Sequence, residues 1–137
     1  MILLVSAVSV VIAVGIHHEA LVLATILTRN SSPRRFRPGA ALMFALFAHL
    51  LEIGLFAWVW QRLVDAGMAT LNIPAPTTLD MFYFSGSLYT SLGFGDIVPI
   101  GESRIFAVTE AVIGLVMIAW TASFTYLEMQ RNWQRID

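Results

Sequence analysis

Three long stretches of the chain are almost entirely apolar, and the polar residues are concentrated between them. The stretches run from Ile2 to Leu27, from Gly39 to Val64 and from Arg104 to about Glu128. At a rise of about 1.5 Å per residue, each is long enough to cross a hydrocarbon core of about 30 Å as a helix. A fourth segment, Thr78 to Thr90, is too short to span and predicts a re-entrant half-helix. Thr77 and Asp80 fit a capping box at its start.

The composition places the chain in a membrane. Hydrophobic residues make up 58% of its 137 residues, charged residues make up 12%, and the mean hydropathy is +0.76. The absence of cysteine excludes a disulfide framework and a thiolate metal site. A net charge of −1 excludes a broadly basic nucleic-acid surface. We therefore expect an all-α membrane protein that binds no nucleic acid.

The arginines predict the orientation of the chain. Four lie in the loop TRNSSPRRFRP and two in the C-terminal tail: Arg29, Arg34, Arg35, Arg37, Arg131 and Arg135. The positive-inside rule makes both segments cytoplasmic and places the N-terminus outside, in a multi-pass protein of the cell (inner) membrane. Trp58 and Trp60 are then expected in the outer aromatic belt. Binding of anionic lipid headgroups is an alternative role for the arginine loop.

The ends of the chain also lead to expectations. The first apolar stretch lacks a basic n-region and a clear cleavage site, so we expect it to be retained as a helix. The tail YLEMQRNWQRID ends close to the membrane, so we expect no appended cytoplasmic sensor domain.

The stretch TSLGFGDIVP is the irregular segment that follows the half-helix. Irregular backbone at membrane depth is tolerated only where protein buries it or where it lines a water-filled path. Gly93 and Gly95 can adopt conformations closed to other residues, and they alternate with Leu92 and Phe94. This alternation lets successive carbonyls point the same way, which would create a ligand set for a dehydrated monovalent cation.

TSLGFGD resembles the selectivity filter of the potassium channel superfamily, and the preceding TTLDMFYFSGSLY resembles its pore helix. The resemblance covers about 100 residues, so it implies a pore domain over 39–137, with 1–38 forming an extra helix and the arginine loop. It also implies a homotetramer of three transmembrane helices, a pore helix and a filter per subunit, arranged around a central pore. The residues that it implies for binding K+ are Thr90, Ser91, Leu92, Gly93, Phe94, Gly95 and Asp96.

Departures from the family pattern concern the support of the filter. Phe94 replaces the usual tyrosine, and Ser87 stands where some members have a glutamate that couples to the filter acid. Both changes predict that the pore helix, which lies behind the filter, supports the filter less tightly. Glu110 either reaches behind the filter or pairs with a donor inside the helix bundle.

Gating candidates lie on the third apolar stretch. Gly114 matches the inner-helix hinge of the family, and the inner-helix crossing is expected near residues 121–126. The candidate residues are Glu110, Gly114, Thr121 and Phe124.

Ionisable residues interrupt the first two apolar stretches at matching depth. His17, His18 and Glu19 lie in the first, and His49 and Glu52 share a helix face in the second. Both sets lie about 16 Å from the arginine loop, near the bilayer midplane. Such groups are costly in lipid and should face one another. A structural clasp, a divalent-metal site such as a zinc site, and a proton sensor are the three interpretations.

These features favour a passive potassium channel and no enzyme activity. K+ in the filter is the expected ligand, and zinc at the histidine and glutamate residues is a second candidate. The alternatives are a weakly selective cation channel, a potassium transporter subunit and a regulatory pore subunit.

Overall fold

The computed structural model describes residues 1–31 and 33–133, and helices dominate it. The long helices are α1 (Ile2–Ser31), α2 (Arg37–Asp65), α3 (Thr78–Tyr89) and α4 (Arg104–Trp133). Short 3-10 turns, Arg34–Phe36 and Gly101–Ser103, precede α2 and α4. Within the described residues, three helices are long and apolar enough to span a membrane, which confirms the predicted all-α membrane class. Arg135 lies outside the described residues.

Helix α3 begins at the predicted capping box. The Thr77 hydroxyl oxygen accepts a hydrogen bond from Asp80 N at 3.2 Å, and the Asp80 carboxylate accepts one from Thr77 N at 2.8 Å. Hydrogen bonds from the Thr77 side chain and backbone hold the pKa of the Asp80 carboxyl below its usual value. The helix ends one residue earlier than predicted, and Thr90 caps it by donating its hydroxyl proton to Gly86 O at 2.7 Å.

An aromatic core joins α2, α3 and α4. The Trp60 ring lies 5.0 Å, centroid to centroid, from both Phe84 and Phe106. Trp60 is fully buried, so its predicted place in an aromatic belt is wrong, whereas Trp58 is exposed. Residues two positions apart on a helix are rotated by about 200° about its axis, so the side chains of Trp58 and Trp60 point in nearly opposite directions.

Helix α4 packs tightly against the end of α3 at Gly114. A Cβ atom added at Gly114 would lie 2.0 Å from the carbonyl oxygen of Tyr89 and 2.7 Å from its carbonyl carbon. Helix α4 continues unbroken through this position. The structure therefore gives Gly114 a packing role, and its role as a gating hinge stays a prediction.

A two-stranded ribbon connects the segment after α2 to the segment before α4. Strand β1 (Thr70–Leu71) pairs antiparallel with β2 (Pro99–Ile100). Next to the ribbon, the Asn72 side chain donates to Asp96 O and accepts from Val98 N, both at 2.8 Å. Neither the ribbon nor this contact is predictable from the sequence patterns described above.

Candidate functional site

The backbone of residues 90–96 alternates in conformation. Ser91, Gly93 and Gly95 have φ values of 58°, 58° and 82°, and the intervening residues are not in this left-handed region. Glycine adopts such values without penalty, whereas a serine there costs about 1–3 kcal/mol and persists only when its surroundings hold it. Thus the predicted backbone conformation of the two glycines is confirmed. The alternation begins two residues before Gly93, at Ser91.

Helix α3 supports this segment through Ser87 and Tyr83. Gly93 N donates to Ser87 O and Phe94 N donates to the Ser87 hydroxyl oxygen, both at 3.2 Å. The Tyr83 ring stacks on Phe94 with 5.7 Å between centroids and 7° between planes. A hydrogen bond with Asp96 raises the pKa of Tyr83. Ser87 therefore holds the backbone of residues 93 and 94, and Tyr83 connects the carboxylate of Asp96 to α3.

Glu110 lies behind the pore helix. Its carboxylate accepts hydrogen bonds from the Ser85 hydroxyl at 2.6 Å and from Trp60 Nε1 at 2.7 Å, and the residue is fully buried. Of the two predicted arrangements, pairing with donors inside the bundle is confirmed, because these partners belong to α3 and α2. Phe124 lies half-buried near the C-terminal end of α4. The gating roles of Glu110 and Phe124 stay predictions.

Three of the five ionisable residues expected near the midplane meet. His17 Nδ1 lies 2.9 Å from one Glu52 carboxylate oxygen, and His49 Nδ1 lies 3.5 Å from the other. His17 and Glu52 are fully buried. His18 and Glu19 are exposed and lie outside this group, because neighbouring residues on a helix point in different directions. The predicted five-residue set is corrected to three.

Two residues missing from the sequence-based set complete the group. Tyr89 donates its hydroxyl proton to Glu52 and lies 2.9 Å from His49 Nδ1. The Thr121 hydroxyl oxygen lies 2.9 Å from His49 Nε2 and 3.3 Å from His17 Nε2. The contacts close into a ring, called here the histidine ring, whose members in order are His17, Glu52, Tyr89, His49 and Thr121. The ring connects α1, α2, α3 and α4, and Tyr89 directly precedes the segment of residues 90–96.

A family profile described as "Ion channel" matches residues 48–130, from within α2 to near the end of α4. The match includes the pore helix, the alternating segment and most of the inner helix. The chain belongs to this ion channel family. The resemblance to the pore domain of the potassium channel superfamily is thereby confirmed, while the ion that passes is a separate question.

Two curated relatives of this ion channel share the name Protein LctB. The protein from Bacillus caldotenax is 45% identical over 47% of this chain and 54% of its own length. The protein from Geobacillus stearothermophilus is 36% identical over 39% of this chain and 40% of its own length. The channel thus matches about half the length of these relatives, and their names state no activity. No solved structure matches the chain.

A basic cavity lies at the end of the channel that carries the arginine loop. It has a volume of about 300 Å³ and is bounded by α1, the turn before α2 and the end of α4. Its lining residues are Thr25, Arg29, Arg34, Arg37, Glu128, Arg131 and Asn132. Arg35 instead stacks on Phe36, with its guanidinium carbon 4.6 Å from the ring centroid. Arg131 therefore joins three of the four loop arginines.

Proposed function

We propose that the protein is a passive potassium-selective channel. The observation that carries the proposal is the alternating left-handed backbone at Ser91, Gly93 and Gly95, placed directly after a capped half-helix. Backbone carbonyls from such a segment replace the hydration shell of K+. In this proposal, carbonyls from Ser91 to Phe94 hold K+, and the Ser91 hydroxyl adds a ligand at the inner end.

The working channel is proposed to be a homotetramer. All residues from 90 to 96 are exposed in a single chain, including Leu92 at 65% and Phe94 at 61%. Large apolar side chains of this kind need a covering surface. One chain supplies one filter segment, and a potassium filter is a ring of four such segments. Four copies around a central axis supply both the cover and the ligands.

The proposed setting is the cell membrane, with the N-terminus outside and the basic cavity at the cytoplasmic face. We further propose that this cavity holds the headgroup of an anionic lipid, because four arginines and one glutamate line it. Each arginine near the membrane surface contributes about 1 kcal/mol to such binding. Replacing Arg34 and Arg131 by glutamine should reduce the amount of anionic lipid that co-purifies with the protein or binds to it when added. Replacing Arg35, which lies outside the cavity, is the matched control, and equal losses in both would contradict the assignment.

The test of potassium selectivity is ion flux through purified protein in liposomes. We expect the reversal potential to follow the K+ gradient and to respond little to Na+. Gly93→Ala should abolish or degrade this selectivity, because alanine is strained at a φ of 58°. Gly67→Ala is the control, since Gly67 has a φ of 68° and equally open surroundings but lies outside the filter.

Other outcomes identify the alternatives. Equal permeation of K+ and Na+ through tetramers would indicate a weakly selective cation channel. Folded tetramers without flux would indicate a regulatory pore subunit, and a monomeric mass would favour a transporter subunit. Any of these results would overturn the proposal.

A further inference from the structure

The histidine ring brings metal-ligating atoms to one point inside the bundle. One nitrogen each from His17 and His49 and a carboxylate oxygen of Glu52 all lie within 4.8 Å of one another. They come from two different helices, and all three side chains are at least largely buried. Ionisable groups at membrane depth are costly, so their convergence calls for a compensating charge.

The ring has one proton fewer than its contacts need when Glu52 is ionised and both histidines are neutral. Its five contacts each need one proton between donor and acceptor. With Glu52 ionised and both histidines neutral, Tyr89, Thr121 and the two imidazoles supply only one proton each. One contact is therefore unsatisfied unless the ring takes up a further cation.

We propose that this cation is a divalent metal of the zinc class, bound by His17 Nδ1, His49 Nδ1 and Glu52. Two histidines and one glutamate form a known zinc ligand set, and metal–ligand bonds of about 2.0–2.1 Å place tetrahedral ligands about 3.3 Å apart. His17 Nδ1 lies 2.9 Å from one Glu52 oxygen and His49 Nδ1 lies 3.5 Å from the other, so both nitrogens are close to that separation from the carboxylate. The Tyr89 oxygen, which lies 2.9 Å from His49 Nδ1 and contacts Glu52, is the candidate for the fourth ligand.

Thr121 provides the outer support that metal-bound histidines require. A histidine that binds metal through one nitrogen donates its other N–H to a nearby acceptor, which fixes the ring. Here the Nε2 atoms of both histidines lie within 3.3 Å of the single Thr121 oxygen, which has two lone pairs. The Thr121 proton is then free for the carbonyl one turn back, a bond that Thr25, Thr28 and Thr109 make in this protein.

One side of the histidine ring faces a cavity. A cavity of about 420 Å³ between α2 and α4 is lined by His49 and Thr121 among other residues. His49 is the one of the three ligands with a partly exposed side chain, at 13%. His49 and Thr121 are therefore not sealed inside the single subunit.

Metal binding would join the first helix to the conducting part of the chain. His17 belongs to α1, whereas Tyr89 ends α3 directly before Thr90. An occupied site fixes α1, α2 and the base of the filter relative to one another. Only this consequence for conduction depends on the proposed channel function; binding of the metal does not.

The test measures metal content without ion flux. Detergent-solubilised protein is stripped with chelator, titrated with Zn2+ against a competing dye, and analysed for bound zinc. The parent should bind one zinc per subunit, and Co2+ in place of zinc should give the visible absorption of a tetrahedral site. His17→Ala and Glu52→Gln should abolish this binding, and Thr121→Val should weaken it by about 10–100-fold.

His18→Ala is the matched control, since His18 neighbours His17 on the chain but is exposed and lies outside the ring. It should bind zinc like the parent. The Co2+ spectrum of the parent needs no substitution, so it decides the question even if the His17 variant fails to fold. A parent that neither retains zinc nor shows the Co2+ spectrum overturns the proposal and leaves a proton as the missing cation. Equal loss of zinc in His17→Ala and His18→Ala overturns it as well.

Discussion

Replacing Gly114 by alanine should destabilise the folded subunit, although alanine is the better helix former. The new Cβ would lie 2.0 Å from Tyr89 O, and ordinary contact begins near 3.4 Å, so the two backbones would have to part by about 1.4 Å. The neighbour is backbone at the end of α3, which cannot rotate away as a side chain can. Any relief therefore moves the base of the filter segment.

The magnitude follows from two opposing effects. Alanine gains about 1 kcal/mol over glycine in a helix interior, whereas overpacking a tight contact costs about 1–3 kcal/mol or more. Because backbone meets backbone here, we expect the loss to prevail, with a net destabilisation of up to about 2 kcal/mol. Gly15→Ala, in the middle of α1 with nothing within 4 Å, should instead stabilise by up to about 1 kcal/mol.

The assay is equilibrium unfolding in detergent, followed by tryptophan fluorescence, with flux measured on the same preparations. Gly114→Ala should unfold at lower denaturant than the parent, and Gly15→Ala at equal or higher denaturant. A Gly114→Ala protein that unfolds like the parent but no longer opens would refute the packing argument and favour a hinge. Equal destabilisation by both substitutions would also refute it.

Three further substitutions test the supports of the pore. Asn72→Ala should lower the K+/Na+ permeability ratio in liposome flux, because the segment after the filter loses two hydrogen bonds of about 1 kcal/mol each; an unchanged ratio would contradict this role. Ser85→Ala removes one of two donors from buried Glu110 and should reduce the free energy of unfolding by about 1–3 kcal/mol, measured in denaturant. Thr77→Ala should destabilise α3 at neutral pH. Because the pKa of Asp80 is lowered in the folded state, the ionised carboxylate contributes its full stabilisation above the unfolded value of about 3.8 and loses it as the pH falls through the folded value. The stability difference between the parent and Thr77→Ala should therefore shrink at low pH. A stability difference that does not change with pH would contradict this role of the capping box.

Features governed by local sequence were predictable. The capping box at Thr77, the three spanning helices and the glycine conformations at 93 and 95 depend on residues within a few positions, and the structure agrees with each. The meeting of His17 with His49 was also predictable, because equal distances from one short loop bring two antiparallel helices to the same depth.

Features that depend on the packing angle of α3 were not predictable. Tyr89 and Thr121 join the histidine ring because the end of α3 comes against α4 at Gly114, a contact with no signature in either segment alone. Asn72 was missed for the same reason, since its partners lie more than 20 residues away. The error at Trp60 was avoidable, because helical rotation alone separates it from Trp58.

The composition of the histidine ring has an evolutionary consequence. Glu52, His49, Tyr89 and Thr121 all lie within the stretch that matches the ion channel family, whereas His17 lies outside it. A lineage that lost α1 would deprive the Glu52 carboxylate of His17 and of the helix that covers it, and a charged group exposed to lipid costs up to about 2.5–3.5 kcal/mol on insertion scales. Loss of the helix would then be tolerated only after a second change at position 52. The presence of α1 therefore constrains later evolution of the chain. Descendants without α1 should carry an uncharged residue at position 52.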